Sequence, residues 1–456
     1  MKTKLYHLLI PLALLAGLNQ AAAQTFTNLH SCISASDGGN PYGGLVLSGT
    51  ALYGTANSGG KAGNGSVFAV NTDSTGFTNL HSFAFGDGIN PYGGLVLSGN
   101  TLYGTANQGS SHGNGTVFAI NTDGTGFTNL YNFTGGSDGA NPFGALVLSG
   151  NTLYGTASQG GSHGNGTVFA INTDSTGFTN LYNFTGGSDG ADPYCGLILS
   201  GNTLYGTTAG SGSGIAPNGT VFAINTNGTF TPLHSFISAS DGASPHSGLV
   251  LSNNVLYGTA SQGGSHGNGT VFAINTAGTG FTNLYNFTAL VSGDNIDGTS
   301  PNALILSGNL LYGTAAHGGS AGNGTVFVVS TDGTGFTNLY SFTALTSSAN
   351  SDGANSKAGL ILSNDVLYGT AVNGGGSHAG TVFALNLNSS TSTPPAPIPL
   401  TIQLAGNAVV LSWTNSTFAL QSAPAVTGIY TNIPGATTPH TNLISGLQQL
   451  FRLRHP

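Results

Sequence analysis

The 456-residue chain is 4% charged, contains 75 glycines and carries a net charge of −8, with all 14 acids Asp and none Glu. So little Glu, Lys and Arg leaves few strong helix formers, and an acidic balance without a basic cluster excludes a nucleic-acid surface. Two cysteines cannot supply a disulfide framework.

In chain order, residues 1–23 open with Lys2 and Lys4, continue through an apolar stretch at 8–18 and end in Ala21-Ala22-Ala23. This is the pattern of a cleavable export signal, too short for an anchor, and no later run reaches the length of a membrane span. A secreted, extracellular protein is expected.

Residues 26–32 then read as a lone strand, and beyond them the chain repeats itself seven times. The core Leu-Tyr-Gly-Thr puts Tyr at 53, 103, 154, 205, 257, 312 and 368, a long, nearly fixed period that marks a repeat architecture. Each unit holds four short apolar runs, typified at 144–184. Gly-Leu-Val-Leu-Ser (strand A) and Thr-Leu-Tyr-Gly-Thr (B) are joined by Gly150-Asn151, or elsewhere by Asn253-Asn254 or Asn364-Asp365. These residues tolerate the positive φ of a two-residue hairpin. Thr-Val-Phe-Ala-Ile-Asn (C) and Phe-Thr-Asn-Leu-Tyr-Asn-Phe (D) are joined by an Asp-Ser/Gly-Thr-Gly turn. A four-stranded antiparallel meander of this size is a propeller blade.

The array closes on a lone strand C at 381–385, which the lone strand D at 26–32 complements. An all-β chain is therefore expected, with residues 24–389 forming a seven-bladed β-propeller closed by its N-terminal strand. The alternative is a parallel β-solenoid, whose rungs need no pair of tight hairpins in each period. A Ser/Thr/Pro linker follows at 390–399. Residues 400–456, with short alternating strands and Trp413, read as a small fibronectin-III- or immunoglobulin-like β-sandwich. Cys32 and Cys195 fall on blades too far apart to be bridged and are expected as free thiols.

Insertions fall on the D–A loops before Asp297 and Asp352 and on the B–C loop after Tyr205, which share one face of an antiparallel blade. Ligand contacts are expected there. That face carries Asp37, Asp87, Asp138, Asp189, Asp241, Asp297 and Asp352, each followed by Gly. A role repeated in every blade fits a structural turn, the side chain accepting local backbone N–H bonds. Five residues further on stand Tyr42, Tyr92, Phe143, Tyr194, His246, Asn302 and Lys357. With strand A innermost they reach the mouth of the central channel. Binding is expected where the ring loses its symmetry, at His246, Asn302 and Lys357, flanked by Tyr42 and Tyr194. Loop histidines at 112, 163, 266, 317 and 378 lie on separate blades, so they are read as solvated rather than as a zinc site. No metal, cofactor or nucleophile motif is found.

The pattern Gly-Leu-x-Leu, Leu-Tyr-Gly-Thr, Gly-Gly, Gly-Thr-Val-Phe over residues 26–385 resembles the GloVer tandem repeat of exported bacterial proteins. That resemblance implies a class and a location and brings no established activity. The expectation is a monomeric, non-catalytic binding, adhesion or envelope-associated scaffold directed at glycans or proteins. An extracellular polysaccharide hydrolase or lyase using Asp, His and Tyr is the alternative.

Overall fold

The computed structural model describes residues 24–210, 218–290 and 295–388, then 401–405, 408–412, 419–423, 431–432, 440–443 and 450–454. The expected export signal (1–23) and linker (390–399) lie outside the described residues. So do 211–217 of the long B–C loop, 291–294 of one long D–A loop, and Trp413. The chain divides into two compact units, Met1–Asn388 and Ser389–Pro456.

The first unit is a seven-bladed β-propeller. In the first blade the strands are Val46–Ser48, Ala51–Ala56, Ser66–Asn71 and Thr78–Ser82, hydrogen-bonded in that order. Five further sheets repeat the arrangement. The seventh joins Ile361–Ser363, Val366–Ala371 and Thr381–Asn386 to the N-terminal strand Thr25–Ser31. Thr25 lies opposite Asn386 and Ser31 opposite Thr381. In every blade a β-bulge interrupts the C–D pairing and leaves the strand D Leu unpaired, and the closing strand carries the same bulge at Leu29. The N-terminal segment is thus a full member of the set.

The Leu-Tyr-Gly-Thr core divides its work. Leu52 has no exposure at all and packs with Phe68 between the first and last blades, while Tyr53 packs into the next interface with Phe83 and Leu102. Gly54 lies under the Phe68 ring, where a Cβ would sit 2.6 Å from a ring carbon; the same holds at Gly155 under Phe169. The Thr hydroxyl donates to a backbone carbonyl of the following blade. Thr55 donates to Gly93, Thr105 to Gly144, Thr156 to Cys195, Thr207 to Ser247 and Pro245, Thr259 to Asn302, Thr314 to Ala358, and Thr370 to Gly43 across the closure.

A second circuit runs round the outside. The aromatic ring of each strand D stacks on the first Phe of the next: His30 on Phe77, His81 on Phe127, Tyr131 on Phe178, Tyr182 on Phe230, His234 on Phe281 and Tyr285 on Phe336. Tyr340 on Phe26, centroids 4.4 Å apart, completes the circle.

The A strands are shorter than the sequence pattern predicts, three residues each. The segment before strand A also pairs with the end of strand B in every blade, as a short strand at Ala140–Pro142 and Thr299–Pro301 and as a single bridge in the other five. In the second unit, Thr401–Ala405, Ala408–Ser412 and His440–Leu443 form one antiparallel sheet. Thr431–Asn432, Ala419–Ala423 and Leu450–Arg454 form another. No helix among the described residues is long and apolar enough to cross a membrane.

Candidate functional site

The seven residues that enter the A strands converge. Tyr42, Tyr92, Phe143, Tyr194, His246, Asn302 and Lys357 all line one cavity of about 740 Å³ at the propeller axis, within the size range of small-molecule sites. Five form an unbroken arc of rings. Tyr42 meets Tyr92 edge-on at 5.1 Å, Tyr92 stacks on Phe143 at 4.4 Å, Phe143 meets Tyr194 at 5.3 Å, and Tyr194 lies 5.7 Å from His246. The other side is polar. Asn302 Nδ2 donates to Ser356 O at 3.1 Å, and Lys357 Nζ reaches back to Tyr42 Oη at 3.3 Å, lying 5.0 Å from that ring's centre. The circle therefore closes through a cation–π contact.

His246 stands exposed in the cavity, its Nδ1 3.1 Å from Ser261 Oγ. Desolvation by the surrounding protein, and then the Lys357 charge, hold its imidazole below the ordinary range. His317 also lines the cavity, which the sequence reading missed by grouping it with the solvated loop histidines. It ends the strand Leu310–His317, opposite Thr299 and five residues after Tyr312, and its Nδ1 lies 3.0 Å from Asn355 Nδ2. Burial and Lys357 depress its pKa too. His112, His163 and His266 are exposed, each beside a neighbouring Ser hydroxyl, as expected.

The Asp ring is structural, but its principal partner is not the local turn alone. Each carboxylate accepts a backbone N–H three to nine residues upstream, as from Thr134 to Asp138 and Thr343 to Asp352. Each also binds the strand D aromatic of the preceding blade: His30 to Asp37, His81 to Asp87, Tyr131 to Asp138, Tyr182 to Asp189, His234 to Asp241, Tyr285 to Asp297 and Tyr340 to Asp352, at 2.7–3.1 Å. The backbone carbonyl of the same Asp accepts the first hydroxyl of strand C in its own blade, from Ser66 to Asp37 through Thr381 to Asp352. One residue thus staples two blades. At Asp138 and Asp189 burial alone would raise the pKa, but bonds from Thr and Tyr outweigh it and hold the carboxyl low.

Asp192 departs from the repeat. Its counterparts Asn40, Asn90, Asn141 and Asn355 use Nδ2 to donate to a carbonyl of the preceding blade. A carboxylate has no such proton, and burial pushes the Asp192 pKa up. Both cysteines are buried free thiols; burial, with Asp37 adding to it, takes Cys32 up to about 12, and burial raises Cys195. No cluster of His, Cys and Asp fit for a metal ion occurs among the described residues.

The loop face around the mouth also holds the exposed large apolar side chains of the described residues: Ile33, Phe85, Ile237, Leu290, Ile296 and Leu345, all on D–A loops.

A family model for the Gloeobacter/Verrucomicrobia repeat matches residues 18–159 and 136–295. The chain belongs to this repeat family. No curated protein matches the chain. Among solved structures, an oligogalacturonate lyase in complex with manganese is similar at a TM-score of 0.50 and 10% identity, over 80% of this chain and 97% of the lyase. The computationally designed Ika8 protein is similar at a TM-score of 0.42 and 17% identity, over 84% and 96%. At such identities the likeness to the lyase concerns the fold alone.

Proposed function

We propose that this repeat protein is an exported, non-catalytic binding scaffold whose axial cavity takes a glycan. The observation that supports this reading is the arc from Tyr42 to His246: aromatic rings in contact around one open cavity, with hydrogen-bonding groups on the facing side. Sugars have apolar CH faces that lie on aromatic rings and hydroxyls that need donors and acceptors, and this site offers both. A hydrolytic reading would need a free pair of carboxylates, whereas the ring of Asp is engaged in joining blades. Export follows from the N-terminal pattern in the sequence.

The test is a glycan array on the full chain, followed by titration of the best binder with Tyr92→Ala and Phe143→Ala, the stacked pair of the arc. Binding is expected to weaken at least ten-fold without loss of fold. Undiminished affinity in both variants would reject the cavity as the site.

A further inference from the structure

The seven channel-mouth residues are six uncharged groups and one ammonium. Lys357 is exposed at the cavity, and its recorded contacts are the Tyr42 hydroxyl and ring, neither of which cancels its charge. The chain has 14 acids, yet none of the ion pairs among the described residues engages Lys357. Each carboxylate of the staple ring faces the aromatic group and backbone N–H described above rather than the axis, and Asp192, close enough to Tyr194 to raise that phenol's pKa, stands three blades from Lys357. The ion pairs among the described residues join Asp to His30, His81 and His234 and leave Lys357 out. His246 and His317, which line the same cavity, present imidazoles that can donate to or accept from hydroxyls. The cavity therefore has an apolar stacking side and one fixed positive charge at the opposite edge, held by partners that orient without neutralising.

We propose that the glycan taken by this cavity carries a carboxylate, as a uronic acid residue does, and that Lys357 binds that group while the Tyr92–Phe143 side stacks on the ring. The claim rests on the glycan reading and sharpens it. A carboxylate on the ammonium gains a charge-assisted hydrogen bond that a neutral sugar cannot form. The protein's negative charge repels anions at long range, so recognition depends on contact at this one point and is sensitive to salt.

The test uses the full chain and short uronate oligosaccharides beside their methyl esters, which keep the skeleton and remove the charge. The wild type is expected to bind the acid about ten-fold more tightly than the ester. Lys357→Met is expected to bring the acid down to the ester's affinity and leave the ester unchanged. In the wild type, raising the salt from low to moderate concentration weakens binding of the acid alone, a reading that needs no variant. Equal binding of acid and ester, or a preference that survives Lys357→Met, overturns the inference while leaving the glycan site standing. Binding of neither, with binding of a sulfated or phosphorylated sugar instead, overturns the carboxylate assignment. Binding of no sugar at all overturns both.

Discussion

If the N-terminal strand is a full seventh partner, damage to it should cost the whole ring what the same damage costs in the middle. Phe26 is half-buried, stacked on Tyr340 and 5.3 Å from Phe383, with its edge toward Phe342 at 6.0 Å. Phe178 sits alike, on Tyr131 at 3.7 Å, with Phe169 at 5.8 Å and Phe133 at 5.9 Å. Truncating a fully buried Phe to Ala costs about 3–5 kcal/mol. Half-burial cuts the transfer part to about half, and the lost stacking returns about 0.5–1 kcal/mol. Phe26→Ala and Phe178→Ala should each therefore cost about 2–3 kcal/mol. Urea unfolding followed by near-ultraviolet circular dichroism, which reports the packed tyrosines, measures both. A single transition shifted equally in the two variants is expected. A normal midpoint in Phe26→Ala beside a lowered one in Phe178→Ala would mean that the first strand frays independently and closure adds nothing.

Asp192→Asn should restore the inter-blade donor its neighbours have and stabilise the protein by about 1 kcal/mol at pH 7. Because the folded carboxyl titrates above its ordinary 3.8, the native state binds the proton more tightly and stability falls as pH rises through that range. The gain should therefore shrink toward pH 3.5, and a loss at pH 7 would contradict the assignment. Asp138 and Asp189 lie on the other side of 3.8, so their contribution is present at neutral pH and disappears as pH falls below about 4. Tyr131→Phe, which removes one bond to Asp138, should cost about 1 kcal/mol at pH 7 and less at pH 3 in the same melts. Cys32 and Cys195 should resist a thiol reagent at pH 8 in the native protein and both react in denaturant. Rapid titration of either thiol without denaturant would show that its blade opens.

Much of this was legible because a propeller converts sequence period into spatial symmetry. The repeat of Tyr53 and its six counterparts counts the blades, and the unmatched strands at the two ends state how the ring shuts. The position five residues after each Asp points at the axis in every blade, so the list from Tyr42 to Lys357 could be read as one site before any coordinates. The rest depended on partners distant in sequence. Thr55 looks like any strand threonine until Gly93 of the next blade is beside it. The bond from His81 to Asp87 is short in sequence but needs the bulge at Leu80 to aim the ring. His317 was misread because it was grouped with His112, His163 and His266, which stand nine residues after the blade's Tyr, whereas His317 stands five after Tyr312, where strand B still pairs with the incoming segment in every blade.

The pairing of Thr25 with Asn386 leaves the two ends of the ring one strand spacing apart, about 4.8 Å. A circle whose ends meet inside a sheet has no privileged starting point. Joining residue 388 to residue 25 through a few glycines and opening the chain at an exposed A–B hairpin, such as Gly150-Asn151, would give a circular permutant. It would have the same seven sheets but an ordinary unbroken blade where the split one now stands. The split blade is thus a matter of where the chain enters the ring, and it holds the two ends of the ring together by strand pairing where the permutant would hold them by a covalent link.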